Sequence, residues 1–422
     1  MATAAPLPCG PRWPAVLANA GAALVPGLAL ALPSGYSYGA VLLLVAALAS
    51  LPHWWGRPMP RAGWMLLTLF AAMGLLWLAD EHDSGSVGML DRPIKYLLAL
   101  PCIAFLMRWR PGWRWLALGI GTGAIGAGIV GLAQVGLQGL PRASGFTNAI
   151  QYGDLAALLA LQSALLLTLL WPLARPWQRM LLGAGAALGV VASVLSQARG
   201  GWLALALLWP VAAWLLARST GRRHAYAGLA AFVLGGLALL QLPAVQERVA
   251  LAEREVQVYV AHGDGESSVG HRLAHWRLAW GMGLERPLLG WGRSGYEAEK
   301  ARLVAAGAAP AVVREFGHAH NEVLDLWAKH GLVGVLLLAL FYGVPLALLW
   351  PTPARVRTPT GEVDRPALAL ALVGVMLPLS YAAFGLTQVF LAHNSGNLFY
   401  LFMCPLVLAA LHERRAQLQA SA

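Results

Sequence analysis

The chain has 422 residues, of which 58% are hydrophobic and only 12% charged, at a mean hydropathy of +0.61. Ordinary globular domains carry about a quarter charged residues, so a soluble fold is excluded and an all-α polytopic membrane protein is expected. A net charge of +11 would suggest nucleic acid in a soluble domain, but arginine excess is what cytoplasmic loops of membrane proteins carry, and no basic run interleaved with exposed aromatics supports nucleic-acid binding.

A span needs about 20 apolar residues, and twelve runs qualify or come close, near 14–32, 38–55, 63–79, 94–108, 113–137, 152–172, 179–197, 201–217, 225–242, 321–350, 366–390 and 396–411. The first ends in Ala29-Leu30-Ala31, the pattern of a signal-peptidase site, but one arginine precedes it and its length suits a span rather than a leader. Arginines cluster in alternate loops, at Arg57 and Arg61, Arg108 to Arg114, Arg175 and Arg179, Arg218 to Arg223, and Arg355 to Arg365. The opposite short loops hold only Arg92, Arg142 and Arg199. By the positive-inside rule both termini are expected to be cytoplasmic and the polar segment 243–318 outside. The expected organisation is a bundle of spans 1–9 over 1–242, an outer loop over 243–318, and spans 10–12 over 319–422.

The outer loop has balanced charge and no cysteine, since Cys9, Cys102 and Cys404 lie elsewhere. It is therefore no polybasic lipid patch and holds no disulfide. Val245, Val249, Ala252, Val256 and Tyr259 recur at helical spacing, as do Leu273, Trp276, Trp280 and Leu284, so two amphipathic helices are predicted. Residues 285–296 read as a helix stop and tight turn. Gly290, Gly292 and Gly295 match G-x-G-x-x-G without the strand a dinucleotide site requires, and His271 and His275 have zinc-like spacing without a third ligand.

Chemistry is expected where this loop runs into span ten. His318-Ala319-His320-Asn321 precedes Glu322 and Asp325, so Asn321 or His320 falls at the helix N-cap. An imidazole beside a helix N-terminus is pushed toward the neutral form that a general base needs; simple capping is the bland alternative. Arg199, at the outer end of a span, offers a guanidinium fork to phosphate or diphosphate, while snorkelling would account for it structurally. Arg272, Arg142 and Asn148, and His393 in the last outer loop, are further polar groups at the same level. Asp80 and Asp83 could pair on a divalent cation, although a solvated acidic loop is the plainer reading.

These elements in this order resemble the O-antigen ligase/polymerase family of bacterial membrane glycosyltransferases. The family pattern of His-Asn, nine residues, then Gly-x-x-Gly is matched by His320-Asn321 and Gly331-Leu332-Val333-Gly334. Gln197-Ala198-Arg199-Gly200, Arg272 with Trp276, Pro287-Leu288-Leu289-Gly290, and Arg142 with Gly145 and Asn148 look like further family motifs. The resemblance implies about twelve transmembrane helices in a GT-C-like architecture, with a large, partly helical periplasmic loop between spans nine and ten. It implies an inner-membrane enzyme that moves a glycan from undecaprenyl diphosphate to lipid A–core. His320, with His318 beside it, would supply the base; Arg199 and Arg272, with Arg142 and Asn321, would bind the diphosphate. Neither metal nor cofactor is implied, and inversion at the anomeric carbon is. An O-antigen polymerase or a protein O-oligosaccharyltransferase would use the same donor; a lipid or ion transporter is the alternative of another class.

Overall fold

The computed structural model describes residues 12–84, 90–221, 226, 230, 233–234, 236–237, 240–241, 243–262 and 267–421. Its helices are α1 (Trp13–Leu28), α2 (Gly35–Ala49), α3 (Leu51–Trp54), α4 (Arg61–Ser84), α5 (Asp91–Arg108), α6 (Trp113–Leu132), α7 (Ala149–Leu170), α8 (Pro176–Ser196) and α9 (Arg199–Thr220). After these come α10 (Pro243–His262), α11 (Ser268–Glu285), α12 (Gly292–Ala305), α13 (Glu322–Leu349), α14 (Pro353–Val356), α15 (Arg365–Phe384) and α16 (Asn394–Ala420). Among the described residues no strand forms; Arg357 and Val363 make one isolated antiparallel bridge.

Among the described residues eight helices are long and apolar enough to cross a membrane: α4, α6 with its π-helical extension, α7, α8, α9, α13, α15 and α16. The molecule is thus an all-α, multi-pass membrane protein. The other four expected spans differ for physical reasons. Helices α1 and α2 are apolar but have 16 and 15 residues, a rise of about 24 Å at most against a hydrocarbon core of about 30 Å. Asp91, Arg92 and Lys95 make the outer end of α5 polar. The run at 225–242 lies largely outside the described residues.

Helices α7, α15 and α16 form the interior of the bundle and are almost wholly buried. Small residues let the others close round them: α6 meets α1 at Gly119 and Gly123, where a Cβ would overlap the carbonyls of Ala23 and Pro26, the short approach typical of membrane helices. Above one end of the bundle, α10, α11, α12 and a 3-10 turn at Ala311–Arg314 form a helical layer. Ala279, Met282, Tyr296, Ala319 and Ala328 make a small core of their own there, joining α11 and α12 to α13.

That layer departs from the expectation at one point: the supposed turn at 285–296 contains the start of a third helix, α12. On α11 the buried side is Ala274, His275, Ala279 and Met282, while Trp280 and Leu284 of the predicted apolar stripe are more than half exposed.

Helix α13 is interrupted at Gly331, whose φ of 58° and ψ of −149° are not helical. The break frees backbone groups, and residues 287–291 satisfy them. Leu332 and Val333 N–H donate to the carbonyls of Pro287 and Leu288 at 2.8 and 3.3 Å, and Trp291 N–H donates to Ala328 O at 3.0 Å. Both glycines at this junction are obligatory: a Cβ on Gly331 would lie 2.5 Å from the Leu288 carbonyl carbon, and one on Gly290, itself at φ +66°, would overlap the backbone of Lys329. The Pro287-Leu-Leu-Gly290 and Gly331-x-x-Gly334 motifs are therefore two halves of one joint. Asp80 closes it from α4, accepting from His330 Nε2 at 3.2 Å and from Arg293 N–H at 3.2 Å. The acidic cluster read as a possible cation site thus has Asp80 committed to this joint; the Asp83 side chain lies outside the described residues.

Candidate active site

The 316–321 stretch is anchored at several points of its backbone. Lys300 Nζ donates to Phe316 O at 2.7 Å and Lys329 Nζ to Gly317 O at 2.8 Å, while Ala319 N–H donates to Asp325 Oδ1 at 2.9 Å. Asp325 in turn pairs with Lys329 at 2.9 Å. Asn321 is the N-cap of α13, accepting from Leu324 N–H at 3.1 Å through its side-chain oxygen and donating its amide to Leu386 O at 3.1 Å. Both ends of that side chain are engaged in holding loops. Between these anchors His320 sits in the left-handed region, at φ +53°, a conformation costing on the order of 1–2 kcal/mol outside glycine.

The result is a cluster of imidazoles. The rings of His318 and His320 are 4.4 Å apart and nearly perpendicular; Phe316 lies 4.6 Å from His320, His275 of α11 5.5 Å from it, and His393 6.1 Å from His318. Burial drives all of them toward the neutral form, His320 to about 4 and His275 and His318 to about 3. The Arg272 charge pushes His320 in the same direction. Four imidazole nitrogens in the cluster are buried without a hydrogen-bond partner: Nε2 of His320, Nδ1 of His318 and both of His275.

The expected arginines converge beside this cluster. Arg199, at the start of α9, lies 3.6 Å from Glu255 of α10 and 3.5 Å from Ser268 Oγ of α11. Arg272 of α11 is within the field of Arg199, Asp154, Glu255 and Arg142; burial, then the Arg199 charge, lower its proton affinity. Three arginines and two acidic side chains, one of them the fully buried Asp154 on α7, thus meet here. The loop carrying Arg142 is tied to the same place: Ala143 N–H donates to Leu195 O at 2.9 Å and Gln197 Nε2 to Pro141 O at 3.0 Å.

The loop at 385–393 packs against the start of α13. Glu322 N–H donates to Gly385 O at 2.8 Å, and the Glu322 carboxylate accepts from Leu391 N–H at 3.0 Å. His393 reaches Asn148 Nδ2 at 3.5 Å, and Thr147 and Ser395 hydroxyls are 3.1 Å apart. All the candidate residues thus lie at one end of the bundle. His318 and His320 lie in the imidazole cluster; the Arg272 charge acts on His320, those of Arg199 and Arg142 act on Arg272, and Asn321 caps the helix that follows His320. His271, the other half of the zinc-like pair, turns to Glu315 at 3.9 Å and to Phe316.

Sequence reasoning missed several contributors: Gln388, Glu255 and Asp154 come from distant segments, and His275 was read only as half of a zinc-like pair. Lys300 and Lys329 had a signal, since the chain has only three lysines and two of them hold this one loop. A neutral imidazole beside an arginine-lined anion site can take a proton from a hydroxyl while the leaving anion is neutralised.

A family model described as O-antigen ligase matches residues 184–339 of the chain, a stretch containing Arg199, Arg272, His318, His320 and Gly331. An uncharacterized protein of Haemophilus influenzae is 27% identical over 314 residues, which cover 74% of this chain and 77% of the relative.

Proposed function

Because the chain carries the O-antigen ligase family domain, we propose that it is a membrane glycosyltransferase that moves a glycan from undecaprenyl diphosphate to a sugar hydroxyl of lipid A–core. The observation that carries this reading is the convergence of His320, its Nε2 unpartnered, with Arg272, whose charge acts on it, and Arg199, whose charge acts on Arg272. The arginines bind the diphosphate. His320 Nε2 takes the proton of the attacking hydroxyl; the new bond forms between that oxygen and the anomeric carbon, and the carbon–phosphate oxygen bond breaks on the opposite face, inverting configuration. Undecaprenyl diphosphate leaves with its charge neutralised by the guanidiniums.

Donor binding also prepares the base. The charge of Arg272 helps hold the His320 imidazole near 4; a diphosphate placed against Arg272 offsets that charge and raises the proton affinity of His320. His318 lies against His320 and orients it. In this reading the pocket faces the periplasm of an inner-membrane protein with both termini in the cytoplasm, in keeping with the arginine-rich loops at the other end.

The test is incubation of the purified protein with undecaprenyl-diphosphate glycan and either lipid A–core or a second lipid-linked glycan, with products identified by mass. Ligation to core is expected, and it should persist with EDTA. His320→Ala should lower the rate by about 10²–10⁴-fold, and Arg199→Ala and Arg272→Ala should weaken donor binding. Near-parental transfer by a folded His320→Ala protein would remove the base assignment; growth of the lipid-linked glycan instead of core ligation would make the protein a polymerase.

A further inference from the structure

His320 has two nitrogens, and a base at Nε2 works only if the proton of the neutral ring sits on Nδ1. Gln388 Oε1 lies 3.2 Å from Nδ1. An amide oxygen only accepts, so Nδ1 donates, and the lone pair is left on Nε2, the atom that is buried with no partner in the protein. The other end of the same amide, Gln388 Nε2, lies 3.3 Å from His393 Nε2 and donates to it. That contact needs the His393 proton on Nδ1, where Asn148 Nδ2, also a donor, lies at 3.5 Å, the limit of a hydrogen bond.

Gln388 is itself held. It is only 4% exposed, and its loop is fixed to the start of α13 by Gly385 O, Leu386 O and Leu391 N–H, which all bond to Asn321 or Glu322. The residues following His320 thus hold the loop that in turn addresses the His320 ring. We propose that Gln388 is the positioning residue of the transfer reaction: it fixes the tautomer and orientation of His320. This rests on His320 being the base. The other titratable groups acting on His320 are Arg272, His271 and His275 from α11, His318 from its own loop, Asp325 from α13 and His393 from the last outer loop.

The test uses the full-length protein in detergent or liposomes, with undecaprenyl-diphosphate glycan and the acceptor that it uses. Gln388→Leu removes the acceptor and should lower kcat by about 10²-fold or more while the donor KM stays within about two-fold. Gln388→Glu restores an acceptor at Nδ1, now a charged one that favours the imidazolium. It should recover much of kcat and move the acid limb of the pH–rate profile upward from the parental position. A group that merely filled space would give neither the recovery nor the pH shift. Gln388→Met keeps volume without the acceptor and guards against a packing effect in the leucine variant; it should be as slow as Gln388→Leu at a parental melting temperature. Parental kcat in Gln388→Leu or Gln388→Met, or an unmoved acid limb in Gln388→Glu, overturns the proposal. If His320→Ala is dead while Gln388→Met is fully active, only the positioning role fails; if His320→Ala is active, the base reading itself fails.

Discussion

Replacing Gly331 with alanine tests whether the joint between α13 and the outer layer holds the site together. Gly331 occupies φ 58°, ψ −149°, a region essentially confined to glycine and costing about 1–3 kcal/mol for another residue. The added methyl would meet the Leu288 carbonyl carbon at 2.5 Å and the Leu288 and Pro287 oxygens at 2.6 Å. These are backbone atoms with no rotamer to escape into, so the 287–291 turn must back away. That loosens the Leu332-to-Pro287 and Val333-to-Leu288 hydrogen bonds, each contributing about 1 kcal/mol. The sum is a loss of about 2–5 kcal/mol, a large share of typical stability. Gly343, on the same helix, has open space where a Cβ would go, so Gly343→Ala should be neutral or slightly stabilising. Thermal melting of the two purified variants, with transfer activity measured alongside, compares them directly. A Gly331→Ala protein that melts with the parent and transfers at the parental rate would refute the joint.

Glu255→Gln should free Arg199 from its 3.6 Å counter-ion, a largely buried pair whose attraction is mostly offset by its desolvation, and lower the donor KM by about five-fold at most; a raised KM would mean that Glu255 helps to shape the site. Asp80→Ala leaves His330 and the Arg293 N–H without their acceptor, at about 1–3 kcal/mol per orphaned group, whereas Asp80→Asn keeps an acceptor and should melt close to the parent; chelator-sensitive melting of the parent would instead revive a cation at Asp80. Free histidine titrates near 6.5, whereas burial holds His275 and His318 near 3 and His320 near 4. Between those values the unfolded chain binds protons that the folded one refuses, so stability is lost as pH falls below about 6.5 and stops falling through these groups only near 3. Melting temperature should therefore drop from pH 7 to pH 4, less steeply in His275→Phe; identical slopes would show that His275 contributes nothing to it.

Most of the bundle was legible because an apolar run of span length has few alternatives: 321–350 and 152–172 became α13 and α7 almost as read. The run at 366–390 misled, because Phe384 to Phe390 is apolar but not helical after Phe384, and the loop it hides carries Gln388. Helix α12 was obscured by Gly292 and Gly295, which read as turn residues until Pro287–Gly290 is seen docked on α13. Helix α11 was legible as an amphipathic helix, but hydrophobicity shows only that a side is dry, not whether protein or lipid dries it, and the small Ala274 and Ala279 carry the buried side. His318, His320, Arg199 and Arg272 stood out singly by residue type and position. Their meeting could not be seen, nor could Gln388, Glu255 and Asp154, since those contacts join segments tens to hundreds of residues apart.

The left-handed backbone at His320 separates what suits the fold from what suits the chemistry. Glycine or asparagine would occupy φ +53° with less strain, and an apolar side chain would spare the pocket a buried ring nitrogen without a partner. On folding grounds alone, histidine is a poor occupant of this position. Its presence, with two lysines, an aspartate and the N-cap of a helix committed to holding the segment still, marks a place where stability has been conceded so that one lone pair points into the pocket.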